Sequence, residues 1–294
     1  MAHPKLIAIM GPTASGKSDV AECIAAQLDA ELISADAFQI YRGFDIGTNK
    51  PTNPDRYHLI NIRDPNEGYG VGEFALEASR ILFDADRRGK NVVIVGGTGF
   101  YIRALLEKFD NLLPEPSPEL RKKIGKLDLN DALRELDAIA PEAKIDRQNP
   151  VRVRRALERA LTLGEPVRIT YPPFEIEKFA ISVETPTIDA KIRVRTLELL
   201  ESGWISEVEN LLNQGVTTDT PAFRAIGYSE VVQFLHEELT FDIMLEKIVL
   251  ETRRYAKRQR AWLRSEPSLN WLLSDGTPGS VSVMAEQVIK LKNK

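Results

Sequence analysis

The run Gly11-Pro12-Thr13-Ala14-Ser15-Gly16-Lys17-Ser18 constrains this chain more than any other feature. It follows the apolar segment Lys5–Met10, read as a strand, and precedes the amphipathic segment Lys17–Leu28, read as a helix. That is the pattern G-x-x-x-x-G-K-[ST] in the strand-loop-helix context its mechanism requires. Gly11 and Gly16 let the backbone close around phosphate oxygens where a Cβ would intrude. Successive N–H groups and the helix N-terminus then point at the anion. Lys17 adds a mobile positive charge, and the Ser18 hydroxyl is suited to Mg²⁺. The expected ligand of residues 11–18 is a polyphosphate or pyrophosphate.

The rest of the first half continues the alternation. Glu31–Ala35, Tyr57–Ile62 and Asn91–Val95 read as strands, and Gly72–Arg88 as a helix closed by Gly89. Such alternation predicts an α/β fold, a P-loop NTPase-like parallel sheet with helices on both faces. Prolines 114, 116 and 118 forbid regular helix and mark a boundary. Beyond them Glu119–Ile145 offers short charged helices, and Pro150–Leu163, ended by Gly164, reads as a longer one. Phe179–Val183 would return a strand to the sheet. Asp189–Asn213, Ser229–His236, Phe241–Ser265 and Val281–Lys292 read as helices. The expected organisation is a core over residues 1–112, a small helical insertion over 113–146, the rest of the core over 147–213 and a helical C-terminal part over 214–294.

At 294 residues, 43% hydrophobic and 28% charged, the chain is ordinary for a globular protein. No apolar run approaches the ~20 residues that span a bilayer. The N-terminus, Met1-Ala2-His3-Pro4-Lys5, lacks signal-peptide architecture, so a cytoplasmic setting with no membrane partner is expected. A lone cysteine, Cys23, excludes an intrachain disulfide framework and reads as a small core filler. His3, His58 and His236 are too far apart to suggest a local metal motif. Thirty-nine basic against forty-three acidic side chains give a net charge of −4, which by itself argues against a nucleic-acid partner. The distribution reverses that reading. Arg253, Lys257, Arg260 and Arg264 follow i, i+4, i+7, i+11 and form one helical stripe, with Tyr255, Trp262 and Leu263 expected to pack inward. A second cluster, Arg147, Arg152, Arg154, Arg155 and Arg159, surrounds the start of the Pro150 helix.

The chemistry near the loop departs from that of a hydrolase. A hydrolysing P-loop enzyme normally carries an acid that helps hold Mg²⁺ at a second strand. Here the strand Val92–Val95 runs instead into Gly96-Gly97-Thr98-Gly99. The acid at an early strand end is Asp36, and in open sheets ligands sit beyond the carboxyl ends of strands. Asp36 therefore reads as a helix N-cap, as a general base, or as a metal-shell acid facing the phosphate. Phe38 and Tyr41 offer aromatic faces to an extruded base, or pack in the core.

Gly11–Ser18, Ile33–Tyr41, Asp45–Pro51 and Gly96–Tyr101, with Arg152–Leu157, Phe223–Tyr228 and Lys257–Arg264, together resemble the bacterial tRNA dimethylallyltransferases. The resemblance implies transfer of a dimethylallyl group from dimethylallyl diphosphate to the exocyclic N6 of the adenine 3′-adjacent to the tRNA anticodon. It implies that the loop, from Gly11 through Pro12, Thr13, Ala14, Ser15, Gly16 and Lys17 to Ser18, grips the donor's diphosphate together with Arg224, although it looks like an ATP site. Asp36 would accept the N6 proton, Thr98 would bond near the scissile oxygen, and Lys17 would share in catalysis. Ser18 would help place Mg²⁺. Asp36, Ala37, Phe38, Gln39, Arg103, Val151, Arg152, Val153, Arg154, Arg155, Lys257, Arg258, Arg260 and Arg264 would meet the anticodon stem-loop of tRNA. Ala37 stands where the family usually has serine, and the segment after Pro114 is short for the family. After His236 the sequence carries no Cys or His for the zinc finger of eukaryotic relatives. A monomer is expected. The competing readings are a prenyltransferase acting on free adenine nucleotide, which would not need the basic helix, a P-loop small-molecule kinase, and a nucleotide-gated binding protein.

Overall fold

The computed structural model describes residues 3–109, 112, 116–162 and 168–291. Met1, Ala2, Pro114 of the expected boundary, the expected helix end at Leu163–Gly164 and Lys292 lie outside them. Six strands form one parallel sheet: β1 (Lys5–Met10), β2 (Glu31–Ser34), β3 (Tyr57–His58), β4 (Val92–Gly96), β5 (Glu175–Val183) and β6 (Asn270–Ser274), in the order β3-β2-β4-β1-β5-β6. The central strands are continuous apolar runs because both their faces are covered. Alternate side chains feed opposite layers: Ile7, Ile9, Val93 and Val95 face one, and Leu6, Ala8, Met10 and Ile94 the other. Behind the first layer lie α1 (Lys17–Leu28), α7 (Thr185–Glu201), α8 (Trp204–Asn213), α9 (Tyr228–Leu235), α10 (Phe241–Ser265) and α11 (Gly279–Leu291). Behind the second lie α2 (Val71–Arg87) and α3 (Gly99–Leu106).

Several boundaries differ from the sequence expectation for physical reasons. β3 stops after two residues because Leu59 (φ 66°) and Asn61 (φ 57°) take left-handed backbone that no strand continues. β5 starts four residues before the apolar run at Phe179, and Lys5 holds that polar end through Glu177 at 3.0 Å and Glu175 at 3.3 Å. The helix expected over Asp189–Asn213 is broken at Gly203, whose φ of 102° ends α7 and starts α8. The C-terminal part also contains β6, which extends the sheet beside β5, after which α11 packs on α1.

Three helices, α4 (Pro118–Gly125), α5 (Leu129–Ile139) and α6 (Pro150–Leu161), share a separate small core of Ile124, Ala132, Leu136, Val153, Ala156 and Leu157. The sequence placed α6 with the returning core at residue 147. Its apolar stripe is buried against α4 and α5 instead.

Candidate active site

At the C-terminal end of β1 the chain turns through Ala14 (φ 61°) and Gly16 (φ 82°) before α1 begins. Left-handed backbone at a residue with a Cβ costs on the order of 1–2 kcal/mol, and here it curls the loop amides inward. Gly16 caps α1 with no side-chain bond to its first amides, which stay available to an anion. The Ser15 hydroxyl is buried in this loop without a protein partner.

The loop forms one wall of a cavity of about 840 Å³. Thr13, Ala14, Gly16, Lys17, Ser18 and Arg224 all line it, so most residues expected at the donor site converge there, beside Asp36, Phe38 and Gln39; Thr98 is not among the lining residues. α7 contributes Arg195, and α10 contributes Tyr255, Arg258 and Gln259. Burial and the neighbouring Arg195 lower the Lys17 ammonium from 10.5 to about 8, while Asp36 acts in the opposite direction. Its nearest protein acceptor, the Pro12 carbonyl, is 3.5 Å away. Arg195 is itself desolvated, donates to the Thr13 hydroxyl at 3.0 Å and feels Asp36 and Glu198 as its nearest negative charges. Neither cation has a carboxylate within ion-pair distance among the described residues. Two close, poorly hydrated cations are a site prepared for a multiply charged anion.

No helix follows Asp36, so in place of the expected N-cap its carboxylate braces a turn beside the cavity. Its Oδ1 accepts from the Phe38 N–H at 2.8 Å and the Gln39 N–H at 3.3 Å, which closes an Asx-type turn. Its carboxylate also borders the cavity and is felt by Lys17, Arg195 and Tyr255. A fixed carboxylate facing an open cavity is what a general base needs. Thr98 stands at the N-terminus of α3, its side chain a hydrogen-bonding neighbour of the Tyr255 hydroxyl. That phenol is pushed up to about 12, burial first and then the charge of Asp36 being the causes.

The loop after Asp36 is held from outside. Glu207 on α8 accepts the N–H groups of Asp45 (2.7 Å) and Ile46 (2.6 Å), and the Tyr228 hydroxyl at 2.7 Å. Lys50, its side chain 4% exposed, reaches the Tyr41 carbonyl, Asp45 and Asn61. Gln39 accepts from Ser34 and donates to the carbonyls of Thr48 and Asn49, so its side chain is spent inside this loop. Ala37 is half-buried against the α2 side of the sheet. Tyr41, 3% exposed and packed on Phe44, belongs to the core, whereas Phe38 lines the cavity.

The residues expected to meet RNA divide into several groups. Lys257, Arg258 and Arg264 are exposed on α10, Arg258 at the cavity and over the Tyr255 ring. Arg260 is half-buried and donates to the Thr185 hydroxyl, and Arg253 donates to the Asp189 carbonyl, so the free stripe is shorter than the sequence suggests. Tyr255 turns to the cavity rather than only inward, while Leu263 is buried and Trp262 packs on Gly99 as expected. Arg103 is engaged within the fold: Glu266, its side chain 2% exposed, takes its guanidinium at 2.8 and 2.6 Å, and Trp262 covers one face. Val153 is a correction for its side chain, which is fully buried in the small core and not exposed to RNA. Val151 and Arg152 are exposed beside it, Arg154 donates to the Leu127 carbonyl and Arg155 to Glu158.

Sequence reasoning missed Arg195, Gln259 and the cavity-facing role of Tyr255. Gln259 carried the one available signal, a neutral polar residue at an inward phase within a run of basic residues. Among the described residues no group of three or more acids, histidines or cysteines could hold a metal, and no helix is long and apolar enough to cross a membrane.

The family model described as IPP transferase matches residues 39–266, and that described as isopentenyl transferase matches residues 4–62. A tRNA dimethylallyltransferase 1 of Citrifermentans bemidjiense is 38% identical, over 97% of this chain and 96% of its own length. A tRNA dimethylallyltransferase of Methylococcus capsulatus is also 38% identical, over 97% of both chains. The solved tRNA delta(2)-isopentenylpyrophosphate transferase of Staphylococcus epidermidis superposes with a TM-score of 0.71 at 29% identity, over 99% of both chains. A eukaryotic dimethylallyltransferase acting on tRNA shares the fold, with a TM-score of 0.77 at 23% identity, over 99% of this chain and 80% of that one. As its ordered motifs imply, the chain belongs to the IPP transferase family of prenyl-transferring enzymes, alongside the tRNA dimethylallyltransferases.

Proposed function

We propose that this enzyme transfers the dimethylallyl group of dimethylallyl diphosphate to the exocyclic N6 of the adenine 3′-adjacent to the tRNA anticodon, releasing diphosphate. One observation carries the reading. A single cavity holds a phosphate loop with two cations that lack carboxylate partners, Lys17 and Arg195, and sets the fixed carboxylate of Asp36 opposite them. An adenine amine is a poor nucleophile because its lone pair is delocalised into the ring. Transfer therefore needs charge stabilisation on the leaving group and a base for the proton. The loop amides, Lys17, Arg195 and Arg224 take the diphosphate charge. The N6–carbon bond forms as the carbon–oxygen bond breaks, and Asp36 receives the N6 proton. Thr98, steadied by Tyr255, donates toward the scissile oxygen. Arg258 at the cavity, with Lys257 and Arg264 exposed on the same helix, offers basic side chains for RNA phosphates.

The residues fit Mg²⁺ carried by a diphosphate. That ion takes few protein ligands and relies on phosphate oxygens and water, and Ser18 and Asp36 line the cavity as a sparse oxygen set. When bound, the ion would neutralise charge on the departing diphosphate.

The test is incubation with labelled dimethylallyl diphosphate and, in parallel, unmodified tRNA, AMP and ATP. Label in tRNA supports the proposal. Label in mononucleotide alone moves the chain to the free-nucleotide prenyltransferases, and steady ATP hydrolysis without transfer refutes both.

A further inference from the structure

The Lys257–Arg264 motif contains two residues that a phosphate-contacting helix does not need, Gln259 and Trp262. Both turn away from the basic edge. Gln259, 6% exposed, accepts from the Thr13 N–H at 2.8 Å through Oε1 and donates to the Gly97 carbonyl at 3.1 Å through Nε2. One amide therefore ties the phosphate loop to the turn that carries Thr98. The packing leaves no slack: a Cβ on Gly97 would lie 2.0 Å from the Gln259 Nε2, and one on Gly99 2.1 Å from the Trp262 ring. Thr13 is held from its other side as well, its hydroxyl accepting from Arg195 at 3.0 Å. No other side chain among the described residues is shown bonding both loops.

We infer that Gln259 is a positioning residue that fixes the register between the diphosphate cradle and Thr98, so that leaving-group stabilisation and the scissile bond stay aligned. The inference rests on the prenyl-transfer reading above. The loop and the 97–99 turn follow different strands, β1 and β4; the loop lines the cavity with Thr13, Ala14 and Gly16–Ser18, and β4 reaches it at Val95 and Gly96, just before the turn. The sheet fixes Met10 opposite Gly96, but past that pair nothing in the strand ladder aligns the two loops. Gln259 supplies the missing constraint with one donor and one acceptor. A carboxylic acid has the same pair when protonated, but a carboxylate has no donor and would face the Gly97 carbonyl with negative charge. The ionisable groups that face it are Tyr255 on its own helix, and Lys17, Asp36 and Arg195 across the cavity.

The test compares Gln259→Glu and Gln259→Met with the parent in single-turnover transfer to tRNA from pH 5.5 to 9, each rate divided by the parent rate at the same pH. Division removes the pH dependence that variant and parent share. tRNA affinity and thermal midpoint are measured on the same samples. A lost alignment of about 1 Å costs roughly 100-fold in the chemical step. At pH 8 both variants should transfer roughly 100-fold more slowly with tRNA affinity within about twofold of the parent. Towards pH 5.5 the Glu variant's ratio should climb at least about tenfold as its acid regains the donor, and the Met ratio should stay flat. If the Met variant does not fold, the pH course of the Glu ratio decides alone. A flat Glu ratio, or near-parent turnover of either variant at pH 8, overturns the inference. Failure of the parent itself to prenylate tRNA would instead overturn the functional reading.

Discussion

Lys17→Met should stabilise the ligand-free protein while removing its grip on the donor. The Lys17 ammonium falls from 10.5 to about 8, chiefly through burial and then through Arg195. Such a depression means that holding the charge in the empty site costs up to about 3 kcal/mol. Part of the side chain still meets solvent, so that figure is a ceiling. The sign follows from linkage. With the folded value below the unfolded one, the unfolded chain binds more protons between about pH 8 and pH 10.5, and stability rises with pH across that window. Below pH 8 the penalty is fully present. Methionine keeps the apolar stem and drops the charge, losing only a 3.5 Å contact to the Pro12 carbonyl. For a chain of this size about 1 kcal/mol moves the midpoint by roughly 2 °C, so at pH 7 the variant should melt about 2–5 °C above the parent. By pH 10.5 the two curves should coincide. Saturating diphosphate should reverse the order at pH 7, since ligand stabilises only the protein that binds it. Scanning calorimetry in phosphate-free buffer, with and without inorganic diphosphate, reads all three. A variant that melts below the parent at pH 7 would refute the claim that Lys17 sits in a destabilised, ligand-awaiting state.

Three further outcomes are expected. Asp36→Asn keeps the bonds to Phe38 and Gln39 and should leave donor affinity near normal, yet slow transfer by about 100-fold or more; near-parent turnover would reduce Asp36 to a turn brace. Arg195→Gln retains a donor for Thr13 but removes the second cation, and should weaken inorganic diphosphate binding by roughly tenfold or more at low salt, read by titration calorimetry. Lys257→Ala should weaken tRNA binding and lower its salt slope by about one unit in filter retention. Arg103→Ala, its guanidinium already committed to Glu266, should leave that slope unchanged.

The strand-loop-helix at residues 5–28 was legible because every part of its signal is local. The apolar run, the two glycines and the amphipathic period all lie in sequence order. β3 and β6 were harder. In β3 the apolar pattern runs on through Ile62, and what stops the strand is the left-handed backbone at Leu59 and Asn61. β6 has five residues with Trp271 and Leu273 exposed, so it lacks the apolar continuity that marked β1 and β4. α6 was found as a helix but placed with the wrong partners. Its stripe of Val153, Ala156 and Leu157 says that one face is buried, and periodicity does not say against what.

The site divides along the same line, and the division explains which basic residues matter. Residues that bind through their backbone, as the loop does, are readable because glycine placement encodes the curvature. Residues that act by pairing are not, since an arginine's task is set by what stands opposite it. Arg103 and Arg195 look alike in sequence, yet the first faces the buried carboxylate of Glu266 and the second faces an open cavity beside another cation. A guanidinium already paired with a buried carboxylate would have to break that pair and strand Glu266 before binding an anion, which costs several kcal/mol. An unpaired one gains on binding. The charge of this net-acidic protein is therefore uninformative in sum, because many of its arginines pair with carboxylates within the fold. The cations proposed to meet a polyanion are ones without a carboxylate partner among the described residues, with Lys17 and Arg195 inside the cavity and Lys257 and Arg264 on the exposed face of α10.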